Sequence, residues 1–137
     1  MIQFDVRPQG FDRVMAWLRR GVNLERPIGD ELGAWATDHL DDELYGMKNY
    51  APPPLNSTYR RTGRLGANWG MMRRGKTGVV FYNMTAYAGY VVGDKDGRRQ
   101  ASIHAGRWRL ARKRTEAAIP EAQRRIRGRI HRELMRQ

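Results

Sequence analysis

Ile2, Phe4 and Val6 alternate with Gln3 and Asp5, the period of a strand that buries one face. Pro8 and Gly10 end it. Phe11, Val14, Met15 and Leu18 then recur at spacings of three and four, which predicts a short helix from about Phe11 to Arg20, stopped by Gly21 and Asn23. Pro27 starts the next element, with Asp30 and Glu31 in its first turn, where carboxylates suit the helix dipole. Ile28, Leu32, Trp35, Ala36, Leu40, Leu44 and Met47 fall on one side, so a long amphipathic helix is predicted over Ile28–Met47. Pro52-Pro53-Pro54 cannot continue it, and the stretch to Thr58 reads as an exposed loop.

The pattern then switches to strands. Arg64 to Met72 is predicted as one, with Leu65, Ala67 and Trp69 on one face. Gly75-Lys76-Thr77-Gly78 is a turn signal, and the β-branched and aromatic run Val79–Tyr82 reads as the hairpin partner. Tyr87, Tyr90 and Val91 are spaced for one face of a helical turn. Gly93–Gly97 reads as a charged surface turn, and Gln100–His104 as a short strand. Ile119, Ala122, Ile126, Ile130 and Leu134 form a last helical stripe, with an earlier helix expected over Trp108–Ala118 and a kink or break at Ile119–Pro120. The fold class expected is α+β: a long amphipathic helix and a C-terminal helix on a small, mostly antiparallel sheet. The 137 residues suit one domain, 1–137, with the basic C-terminal helix at about 120–137.

Charge changes this picture by its distribution. The net charge is +12. Residues 1–50 carry 6 Lys/Arg and 9 Asp/Glu, whereas residues 98–137 carry 13 and 3. An acidic front half is joined to an arginine-rich tail. Such polarity serves either to attract a polyanion or to let one subunit's basic end meet a neighbour's acidic face. Asp38, Asp41, Asp42 and Glu43 are the candidate acidic docking face; Arg124, Arg125 and Arg129 are the candidates on the basic side.

Catalytic chemistry is not legible. There are no cysteines, so disulfides and thiolate metal sites are excluded. His39, His104 and His131 share no metal spacing, and His39, inside the acidic helix, reads as solvated or salt-bridged. Asp41, Asp42 and Glu43 are adjacent on a helix and point in different directions, so they do not converge as acid and base. Gly63-Arg64-Leu65-Gly66 lacks the Gly-Lys-Ser/Thr ending of a phosphate loop. No enzyme, cofactor or metal is expected. No apolar run spans a bilayer and no signal peptide opens the chain, so a soluble protein made in a cytoplasm is expected, with no membrane partner. Tyr59, Arg60, Arg61, Arg64, Trp69, Arg73 and Arg74 mix aromatic and basic residues as nucleic-acid surfaces do, although Trp69 alternates with Leu65 and Ala67 as a core residue would.

The order of short motifs adds a further expectation. Tyr50-Ala-Pro-Pro-Pro is followed by Tyr59-Arg-Arg-Thr-Gly-Arg-Leu65, Tyr87-Ala-Gly-Tyr-Val-Val-Gly-Asp94, Gln100-Ala-Ser-Ile-His104 and Gly106-Arg-Trp108. This series resembles the phage tail-completion (head–tail joining) family, small virion proteins that form rings at the neck. The match runs over roughly residues 28 to 120, through Pro52, Thr62, Gly63, Leu65, Tyr87, Tyr90, Val91 and Gly93. The chain departs from many relatives in its longer proline loop and in having Val92-Gly93-Asp94 where they place a Glu-Phe-Gly-Thr-like run. The resemblance implies a structural role in the virion after synthesis in the host cytoplasm. It implies a homo-oligomeric ring, expected to be a hexamer, that joins the head connector or stopper to the tail tube or tail terminator. With it, Tyr59, Arg60, Arg61, Arg64, Arg73, Arg74, Tyr87, Tyr90, Arg124, Arg125 and Arg129 are candidates for the subunit interface or for sequence-independent contact with DNA in the channel. The alternative is a stand-alone basic nucleic-acid-binding protein with no virion role.

Overall fold

The computed structural model describes residues 1–6, 23–42, 46–48, 55–56 and 62–136. The helix expected over Phe11–Arg20, the Pro52–Pro54 segment, and Glu43, Tyr59, Arg60 and Arg61 lie outside the described residues. The described part is an α+β fold. Its elements are β1 (Ile2–Val6), α1 (Glu25–Asp41), α2 (Arg64–Ala67), β2 (Trp69–Arg74), β3 (Gly78–Asn83), α3 (Ala88–Val92) and α4 (Ala111–Met135).

The sheet has the order β1-β3-β2 and is antiparallel throughout. β1 alternates buried and exposed side chains as its sequence demands. β3 is central, and five of its six residues are buried, which is why its sequence is apolar on both faces. The register aligns Phe4 with Phe81 and Met71, and Ile2 with Asn83 and Trp69, so these side chains share one face. α1 covers that face. Trp35 meets Phe81 edge-on with ring centroids 5.9 Å apart, and Ile28, Leu32 and Ala36 are buried beside it. α4 packs principally on α1, through Ala118, Ala122 and Ile126.

Boundaries differ from the sequence expectations for local reasons. α1 begins at Glu25, not Ile28, because Asn23 Oδ1 accepts the Glu25 amide and Pro27 sits in a first turn that needs no amide donor. It ends at Asp41, where the chain turns back and the Met47 and Lys48 amides donate to the His39 and Leu40 carbonyls. Arg64–Ala67 is a helical turn, not the start of a strand. The β3 partner ends at Asn83, opposite Trp69, so Arg64–Asn68 have no ladder partner among the described residues and close 5→1 bonds locally after the left-handed Gly63. Leu65 is buried all the same. Gln100–His104 forms turns, not a strand: Ala101 N–H donates to the Tyr90 carbonyl, and Gln100 Nε2 donates to the Val91 and Trp108 carbonyls. α4 runs unbroken through Pro120. That proline is exposed, so water can serve the carbonyl it leaves unbonded.

Asn83 ties the strand end to both neighbouring turns. It is fully buried, its Nδ2 donates to the Leu65 carbonyl at 2.7 Å, and its Oδ1 accepts the Thr85 amide at 2.9 Å. A buried amide with both ends bonded holds a unique geometry that an apolar side chain would not.

Two helical glycines should respond oppositely to alanine. A Cβ on Gly29 would sit 2.1 Å from the Lys76 carbonyl oxygen of the β2–β3 turn, whereas on Gly128 its nearest neighbour is the mobile Arg132 Nη1 at 3.4 Å. Gly29→Ala should therefore destabilise the fold by about 1–3 kcal/mol despite better helix propensity, and Gly128→Ala should stabilise it by up to ~1 kcal/mol. Urea denaturation of the two variants checks both signs.

Candidate functional site

Ion pairs join the front half of the chain to the rest. Asp5 receives Arg74 at 2.9 Å, Glu25 receives Lys76 at 2.7 Å, and Asp30 receives Arg73 at 3.0 Å. Arg125 Nε reaches Glu31 at 2.8 Å while its Nη1 reaches Asp38 at 2.6 Å. Glu31 and Asp38 are seven residues apart, two turns of α1, so they present one carboxylate ladder to α4. The Arg125 side chain is 25% exposed and Glu31 16%. Burial disfavours the charged guanidinium, but the hydrogen bonds and charges of Glu31 and Asp38 outweigh it and hold its pKa above the ordinary value.

Some of the acidic and basic residues expected to pair between subunits have partners within one chain. Asp38 and Arg125 meet within one chain. Arg129 pairs with Glu133 at 3.0 Å, one turn along its own helix. Asp41 takes Lys48 at 2.8 Å. Asp42 lies beside His39 and raises that side chain's tendency to hold a proton. Arg124 is 79% exposed with Glu121 at 3.7 Å, and Arg64 is exposed with no ion pair among the described residues. The physical reason is distance: α4 folds back onto α1, so the tail's inner arginines meet the chain's own carboxylates first.

His39 also departs from expectation. It is buried, not solvated: its ring stacks on Trp35 at 5.4 Å and 4°, and meets Phe81 edge-on at 5.4 Å. Burial, reinforced by the nearby Arg114 charge and opposed by Asp42, lowers its pKa from 6.5 to about 4. It is a core aromatic whose polar edge is tolerated while neutral.

Tyr87 and Tyr90 are exposed at the end of the sheet where β3 finishes. Asn83 bonds the Leu65 turn there, and a Cβ on Gly89 would lie 3.5 Å from Ile2 Cγ2, so α2, the start of β1 and α3 converge. Met1, Met84 and Ile103 are also exposed; Met1 and Met84 flank the Ile2–Asn83 pair, and Ile103 follows the Ala101–Tyr90 bond. Trp69 is buried against Phe4 and offers no stacking platform.

A groove of about 810 Å³ separates β1 from α4. Its apolar floor includes Phe4, Val6, Ile119 and Ile126, and its rim pairs Asp5 with Arg74 and Arg112 with Glu116. Thr115, the hydroxyl there, donates to the Ala111 carbonyl. Among the described residues no acid–base or nucleophile pair converges on it. Among the described residues no three His, Asp or Glu gather as a metal site, and no helix is long and apolar enough to cross a membrane.

Sequence reasoning gave Glu31 only a helix-dipole role and missed Asn83 and Arg114. Arg114 is buried and donates from Nη1 to the Gly46 carbonyl at 2.7 Å. Glu31 was visible in principle as the residue two turns before Asp38; Asn83 and Arg114 carry no periodic signal. Comparison with protein-family models, with curated proteins and with solved structures finds no match in any of the three.

Arg125→Met should cost about 1–3 kcal/mol, because it removes the main partner of a poorly exposed carboxylate, whereas Arg124→Gln should change stability by less than ~0.5 kcal/mol. Urea midpoints for both variants measure the contrast. His39 gives a pH prediction. Its unfolded pKa is near 6.5 and its folded pKa about 4, so the unfolded chain binds the proton that the fold refuses. Stability should fall as pH drops through that window, by about 2 kcal/mol between pH 7 and pH 5, and His39→Phe should flatten that loss.

Proposed function

We propose that the chain is a structural, non-catalytic virion protein that assembles into a ring at the phage neck and joins the head connector to the tail. The observation that carries this reading is the meeting of its two best motif segments. Gly63-Arg64-Leu65 and Tyr87–Gly93 are 22 or more residues apart in sequence, yet Asn83 bonds the first and, through Thr85, leads into the second. The end of the molecule they share exposes Tyr87, Tyr90, Met84 and Ile103. Tyrosines that offer a broad apolar ring and a polar tip suit an interface that must also survive as a free surface.

A closed ring uses two different faces of each subunit. In this reading the Tyr87–Tyr90 end is one of them, packed against a second copy. In this reading the acidic side of α1 is not needed as the other, since Asp30, Glu31 and Asp38 already have cations inside the chain. Apolar contact, not charge pairing, therefore holds subunit to subunit, and the assembly should tolerate high salt. The neighbours would be connector or stopper proteins on one side and tail-tube or tail-terminator proteins on the other. The positive surplus of the tail favours the second reading, a stand-alone nucleic-acid-binding protein, which differs in being monomeric or dimeric.

Light scattering across a concentration and salt series tests the proposal. A ring of six 15.9 kDa chains has a mass of about 95 kDa. That species should persist at high salt, and Tyr87→Ser with Tyr90→Ser should weaken its assembly at least about tenfold. A monomer at every concentration, with unaltered behaviour of the double variant, overturns the ring.

A further inference from the structure

The fold separates the cations of α4 into two sets. Arg125 and Arg129 turn toward carboxylates and are partly buried. Lys113, Arg124 and Arg127 lie on the side of the helix opposite Ala118, Ala122 and Ile126, and all three are exposed. Among the described residues no carboxylate is within ion-pair distance of Lys113 or Arg127, and Arg124 has only the exposed Glu121 at 3.7 Å. Arg132 and Arg136 continue the array at the C-terminal end, 57% and 70% exposed, with carboxylates no nearer than 3.9 and 3.6 Å. Asp5, Glu25, Asp30 and Asp38 each have a cation of their own elsewhere in the chain, so among the described residues this face of α4 carries a row of cations without close carboxylates.

We propose that the outward face of α4, centred on Lys113, Arg124 and Arg127, binds the phosphate backbone of double-stranded DNA without reading base sequence. The chemistry selects among polyanions. The apolar side of α4 is turned onto α1, and its large exposed apolar side chains are confined to the last turn, Leu134 and Met135, so there is no extended face to enter a lipid surface. The helix contains no Trp, Tyr or Phe, so it offers nothing for unpaired bases to stack on. The poorly exposed carboxylate of the Glu31–Asp38 ladder is filled by Arg125, so a second copy offers these residues no equally enclosed acidic site there.

A duplex fits what remains. Lys113 and Arg127 are about 21 Å apart along the helix at 1.5 Å per residue. Duplex DNA presents a charge every ~1.7 Å along its axis, so a rigid row of cations finds phosphates in any register. Arginine forks hold phosphate oxygens bidentately, which fixes orientation but carries no sequence information. This inference does not depend on the ring and holds equally for a monomer.

The test is fluorescence anisotropy with two unrelated labelled duplexes of about 20 base pairs, over a salt series starting near ~50 mM. It compares the unaltered full chain, K113Q/R124Q/R127Q, and a control with the same charge change at exposed positions elsewhere, R26Q/K95Q/R107Q. Both duplexes should bind equally to the unaltered chain. The α4 variant should lose about tenfold or more in affinity at low salt, with the log–log salt slope shallower by roughly 2 to 3, whereas the control should lose under ~3-fold. Thermal melts of both variants should match the unaltered chain. Equal losses in the two variants would show that net charge alone binds DNA and would overturn the assignment. So would absence of duplex binding at low salt, or tighter binding to anionic vesicles or poly-glutamate than to duplex at matched charge.

Discussion

Three strands of five and six residues do not make a stable sheet in water unless one face is covered. α1 supplies that cover, and the rest of the described structure depends on how it does so. Its apolar side brings Ile28, Leu32 and Trp35 onto β3, where Phe81 is fully buried. Burying each such side chain contributes about 1.5–3 kcal/mol, so this layer outweighs any surface ion pair. Gly29 lets the helix approach the β2–β3 turn closely enough for that contact.

The same helix has a second side, and its chemistry determines what the surface can do. Its carboxylates at Glu25, Asp30, Glu31 and Asp38 each meet a cation from β2, from the turn after it, or from α4. A domain with a segregated charge pattern thus uses its acidic part to position its own basic parts. The consequence is functional: the surface that remains is positive and polar along α4, and apolar and aromatic at the Tyr87–Tyr90 end. These are two different binding chemistries on two different elements. In the proposed readings the first meets a polyanion and weakens with salt, and the second meets a protein neighbour and does not.

The middle of the chain shows how short segments are organised by tertiary demand. Arg64–Ala67 has the composition of a strand beginning, yet coils because β3 ends opposite Trp69 and no other described strand reaches it. Gln100–Trp108 coils because its backbone meets only single carbonyls from α3 and its own loop. In both places one side chain, Asn83 or Gln100, holds the turn by bonding main-chain carbonyls across it. Such amides specify geometry without leaving a periodic trace.

Periodicity by itself determined the α+β class, β1, the β2–β3 hairpin, the core face of α1 and the stripe of α4. Those features follow from the alternation of apolar residues with periods of two and 3.6, which is a local property of the chain. Composition and charge segregation likewise marked the tail as the basic partner of something. What met it was decided only by the tertiary structure. The fold turned α4 back onto α1, so Arg125 found Glu31 and Asp38, while Lys113, Arg124 and Arg127 were left facing water. Burial of His39 between Trp35 and Phe81 was decided in the same way. Ion-pair partners and the solvation of a single side chain depend on distances between residues far apart in sequence, and no local pattern encodes them.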